Sequence, residues 1–389
     1  MNLFKFYIAG FVFISFQINA QTKTNKSNSE YTFTIVKSLE ATPVQNQNQS
    51  STCWSFSTLS FFESEMARMG KGKDFNLSEM FVVRKTYPLK AQNYIRMHGK
   101  NNMAEGGGFP DVLNIMKKYG MMPEDIYTGK KNVNEPHSHG QLEKSLQGVL
   151  AAAADESTQK IDYDFMIANV ESICDNFLGK VPEKFDYKGK SYTPKTYAEA
   201  TGIVPEDYVY ITSFSHHPFY EKFILEVPDN WAWEKINNVP LNELQEIMSY
   251  AIDNGYTFAW GADVSEKGFL FKDGVAVVPE TPFDQMSDFE RAALGLKPHK
   301  QLTITQEMRQ KAFDNYETQD DHGMHAIGTA KDQKGTLYYI IKNSWGTKRN
   351  DCDGYFYASE SYMLYKTTSI FLHKKAIPPA IAKKLGISQ

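Results

Sequence analysis

The chain reads as an α+β protein of two lobes, a helical lobe first and a strand-rich lobe after it. Three observations carry that reading. The 389 residues are 41% hydrophobic, 14% aromatic and 23% charged, an ordinary globular mixture that excludes a disordered, collagenous or coiled-coil chain. Apolar residues recur at helical spacing through the first half, whereas the last third carries short apolar runs between Gly and charged turns. Helices and strands segregated in this way pack as α+β. A chain of this length can bury a sizeable core without disulfides and suggests two domains, or one with an insertion. With 42 basic and 46 acidic side chains the net charge is −4, a field too weak to select nucleic acid or an anionic membrane.

The elements follow in order. Residues 1–20 hold one charge, Lys5, then the apolar run Phe6 to Phe16 and a small residue, Ala20, before polar Gln21. That pattern predicts a signal peptide cleaved after Ala20 and an exported protein, periplasmic or secreted, with no membrane span once it is removed. The run is shorter than a spanning helix needs. Residues 21–230 are expected to form the mainly helical lobe and 231–389 the β-rich lobe with a C-terminal tail. Tyr31 to Val36 predicts a strand, and the polar run Gln45 to Thr52 a loop with a helix cap. From Cys53, the spacing of Trp54, Phe56, Leu59, Phe61, Phe62 and Met66 predicts a helix that stops at Gly70. A second helix is expected over Pro110 to Tyr119. Residues 128–205 read as an insertion with helices at 142–154 and 163–178 and a turn at Gly189. Leu241 to Gly255 predicts another helix. Thr257 to Val264, His325 to Ala330, Leu337 to Lys342 and Tyr355 to Ala358 predict strands.

Three cysteines, Cys53, Cys174 and Cys352, are too few for a disulfide scaffold and odd in number. No two lie close together, and the pairs His137/His139 and His216/His217 sit in polar stretches, so they read as surface histidines and no metal or cofactor is expected.

Chemistry gathers around Cys53. At the first turn of a helix, free N–H groups and the dipole favour a thiolate. A Cys nucleophile needs a base and a group to orient it. His325 enters a strand and Asn343 leaves one, which makes them base and orienting residue. His322, beside Asp320 and Asp321 in what reads as a solvated turn, is the competing base. Gln47, six residues before Cys53, supplies an oxyanion donor. Gly107 and Gly108 let a substrate backbone approach, and Trp345 is expected to shield the His–Asn bond and border the substrate site.

Several segments together resemble the papain-like cysteine peptidases: Gln45-Asn46-Gln47, Cys53-Trp54-Ser55-Phe56-Ser57, Gly107-Gly108-Phe109-Pro110, His325-Ala326, Lys342-Asn343-Ser344-Trp345-Gly346 and Gly354-Tyr355. They stand in the family's order between about Thr42 and Tyr357. The resemblance implies a papain-like two-lobe fold, with a nucleophile helix in one lobe and an antiparallel, β-barrel-like second lobe, and peptides as substrates. Ser50 and Glu105 stand where secreted members have a disulfide. That absence, with Lys117 to Pro123, Ser215-His216-His217-Pro218 and Lys383 to Gly386, is similar to the bleomycin hydrolase and aminopeptidase C branch. The branch implies amino-terminal cleavage, a C-terminus lying in the cleft, and a homo-oligomer, a hexamer. Members of the branch are longer and mostly cytoplasmic, and many relatives of papain have Asp before the base where Met324 precedes His325. The 32 residues from Gln21 to Thr52 imply no long inhibitory prosegment. An endopeptidase, a silent papain-like binding protein and a Cys acyltransferase remain the alternatives.

Overall fold

The computed structural model describes residues 22–154 and 160–389; the leader expected over 1–20 lies outside them. The helical lobe comprises α1 (Cys53–Arg68), α2 (Glu79–Arg96), α3 (Phe109–Tyr119), α4 (Gly140–Ala153), α5 (Tyr163–Leu178) and α6 (Pro194–Thr201). The nucleophile helix α1 is buried from Trp54 to Met66, polar positions included. Its hydroxyls bond its own carbonyls: Ser57 Oγ donates to Cys53 O at 2.7 Å and Thr58 Oγ1 to Trp54 O at 2.7 Å. Polar side chains satisfied locally can be buried at little cost, so α1 runs between the lobes.

Helix α2 was not anticipated from the sequence, because Pro88 interrupts its pattern. Pro removes only one backbone bond, toward Arg84, and Ser78 Oγ caps the start by accepting from Phe81 N at 3.0 Å. The segment read as an insertion is packed into the helical lobe: Leu142, Leu146 and Leu150 of α4, with Val170 and Cys174 of α5, share one core with Phe61, Phe62 and Val82. Arg84 of α2 bridges to Asp175 at 2.6 Å and also to Glu171.

The second lobe is built on one sheet. Its main strands are β1 (Phe33–Ser38), β2 (Tyr208–Thr212), β3 (Phe258–Ala262), β4 (His322–Lys331), β5 (Leu337–Lys342), β6 (Tyr355–Ser359) and β7 (Thr367–His373). The order β2–β7–β3–β4–β5–β6 is antiparallel throughout, and β1 pairs with the second half of β4. The expected antiparallel, β-barrel-like lobe is refined in two respects. Lys235–Asn238 pairs parallel to β2 and Val275–Ala276 parallel to β6. Among the described residues the sheet also stays open, ending at Lys222–Ile224 on one side and Phe269–Leu270 on the other. Helix α7 (Leu241–Asp253) covers one face through Leu244, Ile247 and Met248.

Strand β4 begins at His322, three residues before the expected start. His322, Gly323 and Met324 pair with Ala262, Gly261 and Trp260 of β3, so a stretch that reads as a charged turn is held as strand by its neighbour.

The tail is the other departure. After β7 the chain forms a helix, Pro379–Lys384, whose Ile381 and Ala382 enter the second core, with Leu385 and Ile387 packed against it. Lys384 pairs with Glu243 at the start of α7, and the Gln389 side-chain amide donates to Ile377 O at 2.6 Å and Lys374 O at 2.9 Å. The tail is folded back on its own beginning. The cleft expected to receive it contains none of its residues.

Candidate active site

Cys53 is the first residue of α1 and half-buried. It shares a cavity with Trp54, Gly107, Gly108, Tyr210, Asp229, Asp320 and His322. Burial pushes the Cys53 thiol up to about 12, with Asp229 and Asp320 adding to the rise; the backbone N–H groups of Gly323 and Trp54 work against it. The lowered thiol pKa expected from the helix terminus is therefore outweighed by desolvation and nearby carboxylates.

The structure brings His322, not His325, to Asn343. His322 Nε2 lies 2.7 Å from Asn343 Oδ1. That oxygen also accepts from the Ser344 backbone N–H at 2.8 Å. A backbone N–H only donates, so the atom facing both groups is the amide oxygen, and Nε2 must carry its proton. In the neutral ring Nδ1 is then the acceptor. The ring stacks on Trp345, with centroids 4.7 Å apart and planes 29° apart. Burial lowers the His322 pKa to about 4, against the opposing pull of Asn343 and Asp321.

His325 is corrected by strand geometry. Side chains alternate along a strand, so residues three apart face opposite sides. A Cβ added at Gly323 would meet Ser57 Oγ at 2.8 Å, so that face looks onto α1. His325 shares it: Nδ1 lies 2.9 Å from Ser60 Oγ, which also accepts from Lys342 Nζ at 2.7 Å, and the ring packs edge-on to Phe61. Nε2 is buried without a partner among the described residues. Burial, with the Lys342 charge, holds its pKa well below the usual range. The position before His322 is Asp321, so the Asp-His pair was the missed sequence signal. Asp321 accepts from the backbone N–H groups of Val264 and Ser265 at 3.2 and 2.9 Å.

The remaining residues are placed by two segments stitched together. Gln47 N donates to Ser344 O at 2.9 Å, Gly346 N to Gln45 O at 3.0 Å, and Asn46 bridges Trp345. Gln47 is buried, and its Oε1 accepts from Ser344 Oγ at 2.6 Å, which leaves its Nε2 group as the donor. Gly107 and Gly108 line the cavity with Cys53; a Cβ at Gly107 would meet the Asp111 carboxylate at 2.9 Å and Trp54 at 3.0 Å. Trp345 is not among the cavity's lining residues. It packs between His322 and Phe271, whose ring centroid is 4.9 Å away.

Asp229 and Asp320 in the cavity were not read from the sequence. Cys174 is buried in the helical core, while Cys352 donates to Asn25 O at 3.0 Å in the other lobe, so the two do not pair. His137 and His139 are buried, not superficial. His216 and His217 flank Glu226 at 3.1 and 2.7 Å. These three form the one group of at least three ligand-type side chains among the described residues whose ligand atoms come within 4.8 Å of one another.

Comparison with known proteins bears on the family and the fold. The model of the Peptidase C1-like family matches residues 5–86 and 90–387. The chain is 21% identical over 396 residues to "Aminopeptidase C" of Streptococcus thermophilus, covering 91% of this chain and 85% of that one. It is 22% identical over 394 residues to "Bleomycin hydrolase" of Gallus gallus, covering 87% and 82%. The crystal structure of pepw from Lactobacillus rhamnosis HN001 superposes with a TM-score of 0.70 at 19% identity, over 91% of this chain and 84% of that one, and shares the fold.

Proposed function

The chain belongs to the Peptidase C1-like family and is a cysteine peptidase, and we propose that it is an aminopeptidase acting through Cys53, His322 and Asn343. One observation carries the triad: Asn343 Oδ1 holds the Nε2 proton of His322, leaving Nδ1 as the base in the cavity shared with Cys53. With the thiol near 12 and the imidazole near 4, both groups rest uncharged at neutral pH. The thiol proton then passes to His322 Nδ1 as Sγ attacks the peptide carbonyl. Gln47 Nε2 and the Cys53 N–H receive the charge on the carbonyl oxygen. His322 returns the proton to the leaving amine as the C–N bond breaks, leaving a thioester. Water, deprotonated by the same nitrogen, splits that thioester and restores the thiol.

The aminopeptidase reading is supported by the names of the relatives. The leader-like residues 1–20 support action outside the cytoplasm. An endopeptidase is the second reading, favoured by the tail: it is folded on the β-rich lobe and does not close the cleft. The test compares aminoacyl and N-acetyl-aminoacyl fluorogenic amides. Cys53→Ala should abolish hydrolysis of either. Preference for the acetylated amide in the unmodified enzyme would favour the endopeptidase.

A further inference from the structure

An aminopeptidase must hold a free α-ammonium beside its nucleophile. The ammonium nitrogen of the first residue lies only about 2.5 Å from the carbon under attack, two bonds away. Whatever anchors it must therefore share the cavity of Cys53. Gln389 is elsewhere, its side-chain amide tied to Lys374 O and Ile377 O. The cavity instead holds two half-buried carboxylates, Asp229 and Asp320.

We propose that Asp229 and Asp320 receive the free α-ammonium group of the peptide substrate and so determine the enzyme's amino-terminal specificity. The inference rests on the aminopeptidase reading above.

Asp229 Oδ1 accepts from Asn102 Nδ2 at 2.9 Å, and Asp320 Oδ1 accepts from Thr368 Oγ1 at 3.0 Å. The second oxygen of each has no hydrogen-bond partner, and neither residue is in a salt bridge, among the described residues. Lys90 is the cation whose charge Asp229 feels, but its ammonium is committed to the carbonyls of Ala104 and Gly106. Burial raises both carboxyls above the usual range, Asp320 to about 7 with the charge of Asp229 adding to the rise. A cation placed between them opposes that rise and satisfies both free oxygens.

A Cβ at Gly106 would lie 2.1–2.3 Å from the carboxylate atoms of Asp229. The carboxylate thus occupies the space a side chain at 106 would need, directly beside the Gly107-Gly108 edge. Asp320 stands two residues before His322 and lines the same cavity. The cavity measures about 30 Å³, and about 10–15 Å³ suffices for one water. A water-sized ammonium fits that space.

The experiment measures three fluorogenic substrates: leucyl amide, N-acetyl-leucyl amide and N-acetyl-lysyl-leucyl amide. The enzyme, Asp229→Asn, Asp320→Asn and the double variant are each normalised to active sites counted by epoxide labelling of Cys53. Asp229→Ser and Asp320→Ser replace any Asn variant that does not fold. The unmodified enzyme should prefer the free amine. Each variant should raise KM for leucyl amide about 10- to 100-fold, with kcat changed less, and the ratio of free to acetylated cleavage should fall. If the enzyme prefers leucyl amide and the double variant keeps that ratio, the proposal is overturned while the aminopeptidase reading stands. If the enzyme shows no preference for the free amine, the reading itself fails and the proposal with it. If N-acetyl-lysyl-leucyl amide is the best substrate and the variants lose it, the carboxylates read a basic side chain and the proposal is wrong.

Discussion

His322 and His325 lie three residues apart on one strand, both buried, and their surroundings differ in every respect that matters to catalysis. His322 has a carboxamide oxygen on Nε2, an indole against its face and a cavity containing a thiol. His325 has a serine hydroxyl on Nδ1, a nitrogen with no partner and a lysine next door. The difference is one of parity: alternation along β4 sends one ring to the cleft and the other to the side of α1. A histidine's residue type and burial therefore say little about its role; the group that fixes its tautomer says more.

The largest test breaks the comparison outright. His322→Ala should lower kcat/KM by about 10²–10⁴, whereas His325→Ala should keep activity within a few-fold. Steady-state kinetics with counted active sites would show it, and the opposite ranking would return the base to His325. Next comes Gln47→Ala, expected to lower kcat by about 10²–10³ as an oxyanion donor is lost. Ser344→Ala removes only the bond that anchors Gln47 Oε1. It should cost about tenfold, the equivalent of one ordinary hydrogen bond. Equal losses in the two variants would mean that Ser344 does more than aim Gln47.

Two pH measurements sharpen the same contrast. His322 must be neutral to take the thiol proton, and it stays neutral above about 4. The acid limb of kcat/KM should lie near 4 for an acetylated substrate, with no step at 6.5. Stability behaves differently. His325 is held neutral in the folded state and titrates near 6.5 once unfolded, so the unfolded chain takes up the extra proton. Its contribution is whole above about 6.5 and declines as pH falls below that value. His325→Leu should flatten the fall of Tm between pH 6.5 and 4 without moving the kinetic limb. The slope will not vanish, because His137, His139 and His322 are also lowered by burial.

The comparison also marks how far the sequence could be read. The helix at Cys53, the glycine pair and the Asn343-Ser344-Trp345 segment were legible because each is local: spacing or turn chemistry within a few residues declares it. The start of β4 was not. Asp320-Asp321-His322-Gly323 has the composition of a turn and becomes strand only because Gly261 and Ala262 lie alongside. Helix α2 was hidden by Pro88, whose one lost bond is outweighed by burial of Val82, Val83 and Tyr87. Asp229 belongs to a loop more than 170 residues from Cys53, and no local pattern brings the two together. The resemblance places the tail in the cleft, but its Ile381, Leu385 and Ile387 find apolar surface nearer at hand.

That last feature has a practical side. Residues 379–389 rest against the core of the β-rich lobe, with Gln389 pinned to the turn after β7 and no cleft residue within its hydrogen bonds. A linker, an affinity handle or a second protein domain joined after Gln389 would leave from residues that do not line the Cys53 cavity. The enzyme could be tethered to a bead or an electrode by that end with its cleft still open to passing peptides.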